Sequence, residues 1–152
     1  MGGFLSASGV RWVAAAAVLA AASGCGASTA DVTGTVSYQQ RPVVYGTVSV
    51  IGPDQMTYYG VIQPDGTFTV AGVPVGPLKF GVYSPDPFFE LPIPAAEKAK
   101  AEEARRASGI PIPPKPPKGQ WFRLPPKYAD PLTSGLTVDA TARKAAVDLR
   151  LD

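Results

Sequence analysis

The chain has 152 residues, 14 Lys and Arg against 12 Asp and Glu, and a formal charge of +2. So small an imbalance sets up no field strong enough to gather nucleic acid, and the length allows one compact core. Histidine and asparagine are both absent, which excludes His-activated nucleophiles, imidazole metal sites, N-linked glycans and Lys-Asn crosslinks.

At the N-terminus the first ten residues carry no charged side chain, Arg11 adds one positive charge, and Trp12 to Ala22 form an apolar run. That run has the length of a signal-peptide core and is too short to span a bilayer. Ala22-Ser23-Gly24 then precede Cys25, the only cysteine. Small residues in front of a lone cysteine resemble a bacterial lipobox, with Ala22 where Leu is usual. The expectation is a signal peptide over residues 1–24, cleavage between Gly24 and Cys25, and lipid on the Cys25 thiol. Removing Arg11 lowers the mature charge to about +1. With its only thiol committed, the mature chain has no disulfide, thiolate metal site or redox centre. Its stability must come from apolar burial and backbone hydrogen bonds.

A Gly/Ser/Ala tether, residues 25–30, leads into period-2 alternation, the mark of strands with one face buried. Val32, Gly34, Val36 and Tyr38 point one way and Thr33, Thr35 and Ser37 the other. Gln39 to Pro42 turn the chain. The next run, residues 43–51, places Val44, Val48 and Val50 on one face, and Gly46 marks a bulge or a close neighbouring backbone. Gly52-Pro53-Asp54-Gln55 turns the chain again, and Met56 to Ile62 read as a strand. Pro64-Asp65-Gly66 has turn chemistry, so a hairpin joins that strand to Thr67-Phe68-Thr69-Val70. Residues 72–77 read as a loop, after which Leu78, Phe80 and Val82 resume the buried face.

From Pro85 to Pro131 the chain changes character, holding 12 of the 17 prolines. This cannot be sheet interior. Within it, Ala95 to Ala107 is Ala-rich with Lys98/Glu102 and Glu102/Arg106 at i,i+4 spacing, Pro94 before it and Gly109 after it, which predicts one helix. Its apolar side chains are all alanine, so it has little to bury. Ile110 to Lys118 favours an extended polyproline segment. Beyond the insertion, Leu136, Val138 and Ala140 alternate with Thr137 and Asp139, and Val147, Leu149 and Leu151 alternate with Asp148, Arg150 and Asp152. The total is about seven strands, enough for a small antiparallel sandwich.

The run Asp65-Gly66-Thr67-Phe68-Thr69-Val70-Ala71-Gly72-Val73-Pro74-Val75-Gly76 and the strand Leu78-Lys79-Phe80-Gly81-Val82 resemble carboxypeptidase regulatory-like domains. There a D-G-x-F-x-F hairpin leads through a G-x-P-x-G loop into the next strand; Val70 stands where the second Phe is common. Val32-Thr33-Gly34-Thr35-Val36 and Val48-Ser49-Val50 match the first hairpin of that group. With the lipobox, the whole looks like the small lipoproteins of planctomycete-type bacteria. The resemblance implies an all-β, transthyretin-like antiparallel sandwich over residues 31–152, interrupted by the insertion at 85–131. It implies no reaction, because fold does not fix function.

Asp54, Asp65 and Asp130 sit beside Pro or Gly in turns, where local hydrogen bonding favours Asp, so a catalytic carboxylate pair is not expected. No segment spaces oxygen ligands as a calcium loop does. The chain is therefore read as a non-catalytic, lipid-anchored cell-envelope protein without metal or cofactor. Its role is structural or one of interaction, and its first partner is the membrane, through lipid on Cys25. Gly26 after the cysteine fits outer-membrane delivery in some bacteria. The alternative is a binding module for envelope polysaccharide or an exported protein, with Trp121, Phe122 and Tyr128 as an aromatic platform. The competing role for those rings is to pin the insertion onto the sheet and offset the entropy of ordering it.

Overall fold

The computed structural model describes residues 28–152 except Leu91 and Ala142; Gly24, Cys25 and the signal segment lie outside the described residues. Eight strands occur among the described residues: β1 (Thr29–Tyr38), β2 (Arg41–Pro42), β3 (Gly46–Ile51), β4 (Thr57–Ile62), β5 (Thr67–Pro74), β6 (Gly76–Tyr83), β7 (Leu136–Ala140) and β8 (Lys144–Leu151). One helix, α1 (Ala95–Ala107), and a 3-10 turn at Pro126–Tyr128 fall between β6 and β7. The strands form one curled sheet in the order β2-β1-β5-β4-β3-β6-β7, with β8 against β1. Every pairing is antiparallel except β1 with β8.

Alternation becomes burial directly. In β3, Val48 and Val50 are sealed in the core while Thr47, Ser49 and Ile51 face outward. Phe80, Leu78, Ile62, Val32 and Val36 complete the centre of that core. A fully buried Val, Leu, Ile or Phe contributes roughly 1.5–3 kcal/mol, and here these side chains are the main source of stability. The insertion adds Leu124 and Tyr128 to the same core.

Four expectations change. The tether ends earlier, because Thr29 and Ala30 already pair with Pro74 and Val73. The expected loop at residues 72–77 shrinks to Val75. β5 runs through a bulge opposite Asp31, whose carboxylate accepts the Gly72 N–H at 3.1 Å, and that bond lets the ladder continue to Pro74. Conversely, residues 43–45 are buried without being strand, so β3 starts at Gly46, where an added Cβ would collide with the Tyr83 carbonyl. Last, β8 lies parallel to β1 from Asp31↔Lys144 to Tyr38↔Leu151 instead of antiparallel. Alternation reads the same in both chain directions, so it could not settle that point.

Candidate functional site

On the outer face of β3, β4 and β6 the register builds a floor. Tyr59 of β4 is opposite Ser49 of β3, which is opposite Gly81 of β6; one row along, Thr47 is opposite Tyr83. Gly81 is required because Pro131 stands on it: a Cβ there would lie 2.7 Å from the Pro131 Cδ and 2.7 Å from the Ser49 Oγ. The segment carrying Pro131 is fastened by Ser134, whose hydroxyl donates to the Phe80 carbonyl. This segment is one wall of a groove.

The other walls come from the insertion. Phe89 and Ile93 stand at its start, and Ile110, Pro113 and Lys115 at the extended stretch after the helix. A polyproline helix repeats every three residues, so Ile110, Pro113 and Pro116 share a face, and Pro113 and Pro116 are buried. Above the floor, α1 presents Lys98, Ala101, Glu102 and Arg105, the i, i+3, i+4, i+7 face of one helix. The helix has no buried residue. It roofs a groove of about 920 Å³, near the top of the roughly 300–1,000 Å³ typical of ligand sites. Tyr59, Tyr83, Phe89 and Ile110 are four of the eight large hydrophobic side chains left exposed among the described residues, and all four line this one groove.

The three residues expected as an aromatic platform are elsewhere and do not share an open surface. Trp121 donates its indole N–H to the Ser84 hydroxyl at 3.0 Å, which ties the insertion to the end of β6. Phe122 stacks on Tyr38 at 6.0 Å between centroids, and the Arg41 guanidinium lies 4.5 Å from its ring centre. Tyr128 is only 4% exposed; its hydroxyl donates to the Asp152 carbonyl and accepts the Asp152 N–H. A buried ring offers no face to a sugar. Two of the tyrosines that line the groove have a local signal, since Tyr59 and Tyr83 occupy the outward phase of their strands.

Each turn aspartate works locally. Asp54, Asp65, Asp86 and Asp130 all accept the backbone N–H two residues on. Asp65 also accepts the Thr67 hydroxyl at 2.7 Å, and that bond, with the Thr67 N–H, holds its carboxyl below the usual range. Asp148 is lowered in the same sense, first by the Thr35 hydroxyl and then by Arg150. The Tyr58 phenol is raised, chiefly because it donates to Asp54. Among the described residues, no group of three or more His, Cys, Asp or Glu side chains could hold a metal ion. Among the same residues, no helix is long and apolar enough to cross a membrane. No protein-family model, curated protein or solved structure matches the chain.

Proposed function

We propose that the protein is a lipid-anchored, non-catalytic cell-envelope domain whose role is interaction, displayed on a transthyretin-like sandwich of the carboxypeptidase regulatory-like kind. The observation that carries this reading is the groove. A long Pro-rich excursion lies over the outer face of the sheet, its helix buries nothing, and the space beneath collects half of the large hydrophobic side chains left exposed among the described residues. An insertion serving stability alone would close onto the sheet, since apolar surface left in water is unfavourable. The sandwich reading is supported by the curl of the sheet, with β4 and β5 joined at only one register pair, Ile62↔Phe68.

The anchor rests on Cys25 and the apolar run before it. A thioether-linked diacylglycerol with an amide-linked acyl chain exceeds the two signals needed for stable anchoring, each buried CH₂ contributing roughly 0.8 kcal/mol. Thr29 begins β1 four residues after Cys25, so the tether reaches at most ~14 Å and the domain stays close to the lipid surface. Fractionation with mass spectrometry of the mature N-terminus tests this. Wild type should pellet with membranes and carry acyl mass on Cys25, while Cys25→Ser should be soluble or unprocessed. A membrane-bound Cys25→Ser protein, or a mature terminus without fatty acid, refutes the anchor.

A further inference from the structure

The geometry points to the occupant of the groove: an extended stretch of another polypeptide, carrying apolar side chains and charges of both signs, held between the outer face of β3, β4 and β6 and the inner face of α1. This rests on the interaction role proposed above and deepens it.

Lys98, Arg105 and Lys115 line the groove together with Asp86, Glu90, Glu102 and Asp130, yet none of the seven is in an ion pair; the one ion pair among the described residues is Arg150 with Asp148. Lys98 and Glu102 are an i,i+4 pair that could satisfy one another along the helix, and they do not. A rim carrying charges of both signs outside any ion pair complements a chain that also carries both signs.

The floor of the groove is rich in hydroxyls. Thr47, Ser49, Thr57, Tyr59 and Tyr83 all line the groove. Among the described residues, only the Ser49 hydroxyl of these is used, in a 3.4 Å bond to the Gly81 carbonyl. Hydroxyls both donate and accept, which suits the alternating N–H and C=O groups of an extended backbone. Ile51, Ile93, Ile110 and Phe89 supply branched and aromatic walls for its apolar side chains. A sugar would find stacking faces on Tyr59 and Tyr83, but branched aliphatic walls suit the apolar side chains of a polypeptide better than a polyol. Size fits as well: Thr47 to Ile51 is four steps of β3, or ~13 Å, room for about four extended residues.

α1 is part of the same device. A helix of 13 residues is marginal alone in water, and tertiary packing normally holds such a helix. Here the packing surface is missing on the side that faces the floor, and a bound chain would supply it.

The test uses the full-length protein in detergent micelles. A phage-displayed library of random dodecapeptides is panned on wild type and counter-selected on a Tyr59→Ser/Tyr83→Ser double variant. Both tyrosines are surface-exposed, 42% and 57%, so the variant keeps its core. Enriched peptides should combine apolar residues with charges of both signs and bind wild type about tenfold or more tighter than the double variant. Hydrogen exchange across Ala95–Ala107 should slow when such a peptide is bound, and Lys98→Glu/Arg105→Glu should shift the selected peptides toward more basic composition. Peptides that bind the double variant equally well, or no enrichment at all, overturn the inference. An oligosaccharide panel runs in parallel: a sugar that binds and depends on Tyr59 and Tyr83, where peptides do not, overturns the polypeptide and leaves the interaction role standing. Failure of both panels removes the interaction role too, and the Cys25→Ser fractionation is independent of either result.

Discussion

Gln39 and Gln40 both adopt positive φ, 46° and 65°, because a two-residue loop between β1 and β2 matches the strand twist only when both central residues are left-handed. For L-residues this costs roughly 1–2 kcal/mol each. Gln40→Gly should therefore raise the thermal midpoint by a few degrees, read by circular dichroism, whereas Gln40→Val should lower it. The turn at Asp65-Gly66 was legible because its residues are the ones turns demand; the glutamine turn offered no such residue, and its type shows only in the backbone. Gly81 is similar, because the proline that needs its missing Cβ lies 50 positions further along the chain. The acidic residues give a pH prediction. Asp65 and Asp148 are both depressed in the folded state, so the unfolded chain binds more protons in acid. Their contribution is complete above the unfolded value near pH ~3.9 and is lost as pH falls through the lower folded values. Urea midpoints measured downward from about pH 5 should fall, and Thr67→Val should make that fall shallower by removing the largest cause of the Asp65 shift.

At the scale of elements, α1 was legible to the residue because its sequence forms it locally: six alanines in 13 positions, with i,i+4 charge spacing. It buries nothing, so it should also unfold alone. Ala101→Pro should remove the helical signal in the far ultraviolet while the cooperative melt of the sheet moves by no more than about two degrees. A coupled drop in both would mean that the helix is packed more tightly than its exposure shows. The far end of the insertion behaves in the opposite way. Trp121→Phe breaks the bond to Ser84, a side chain only 9% exposed, and strands that hydroxyl at about 1 kcal/mol. Limited proteolysis within residues 85–131 should then accelerate about fivefold, in step with the larger open population. The joint between β5 and β6 was not legible in the same way. Whether residues 72–77 are loop or strand is decided by Thr29, Ala30 and the Asp31 carboxylate, which lie outside that segment.

For the whole molecule, the last strand closes on the first. β8 lies along β1 over eight register pairs, and the Thr35 hydroxyl bonds Asp148 across the pair at 2.8 Å. The inward set Val147, Leu149 and Leu151 was legible from alternation, and all three are buried at 7%, 3% and 1% exposure. Their partner strand was not, because no local pattern records which distant edge is free. At roughly 1.5–3 kcal/mol per buried side chain, these three contribute about 5–9 kcal/mol, against a total stability of about 5–15 kcal/mol for a domain. Removing residues 144–152 also frees the Tyr128 hydroxyl, which holds the Asp152 backbone at both its N–H and its carbonyl. The truncated chain should therefore show no cooperative melt. Leu149→Ala alone, at about 2–5 kcal/mol, should stay folded with a lowered midpoint. A truncated protein that still melts cooperatively would mean that β1 holds its place through β5 and β2 and that the parallel pair is peripheral to the core.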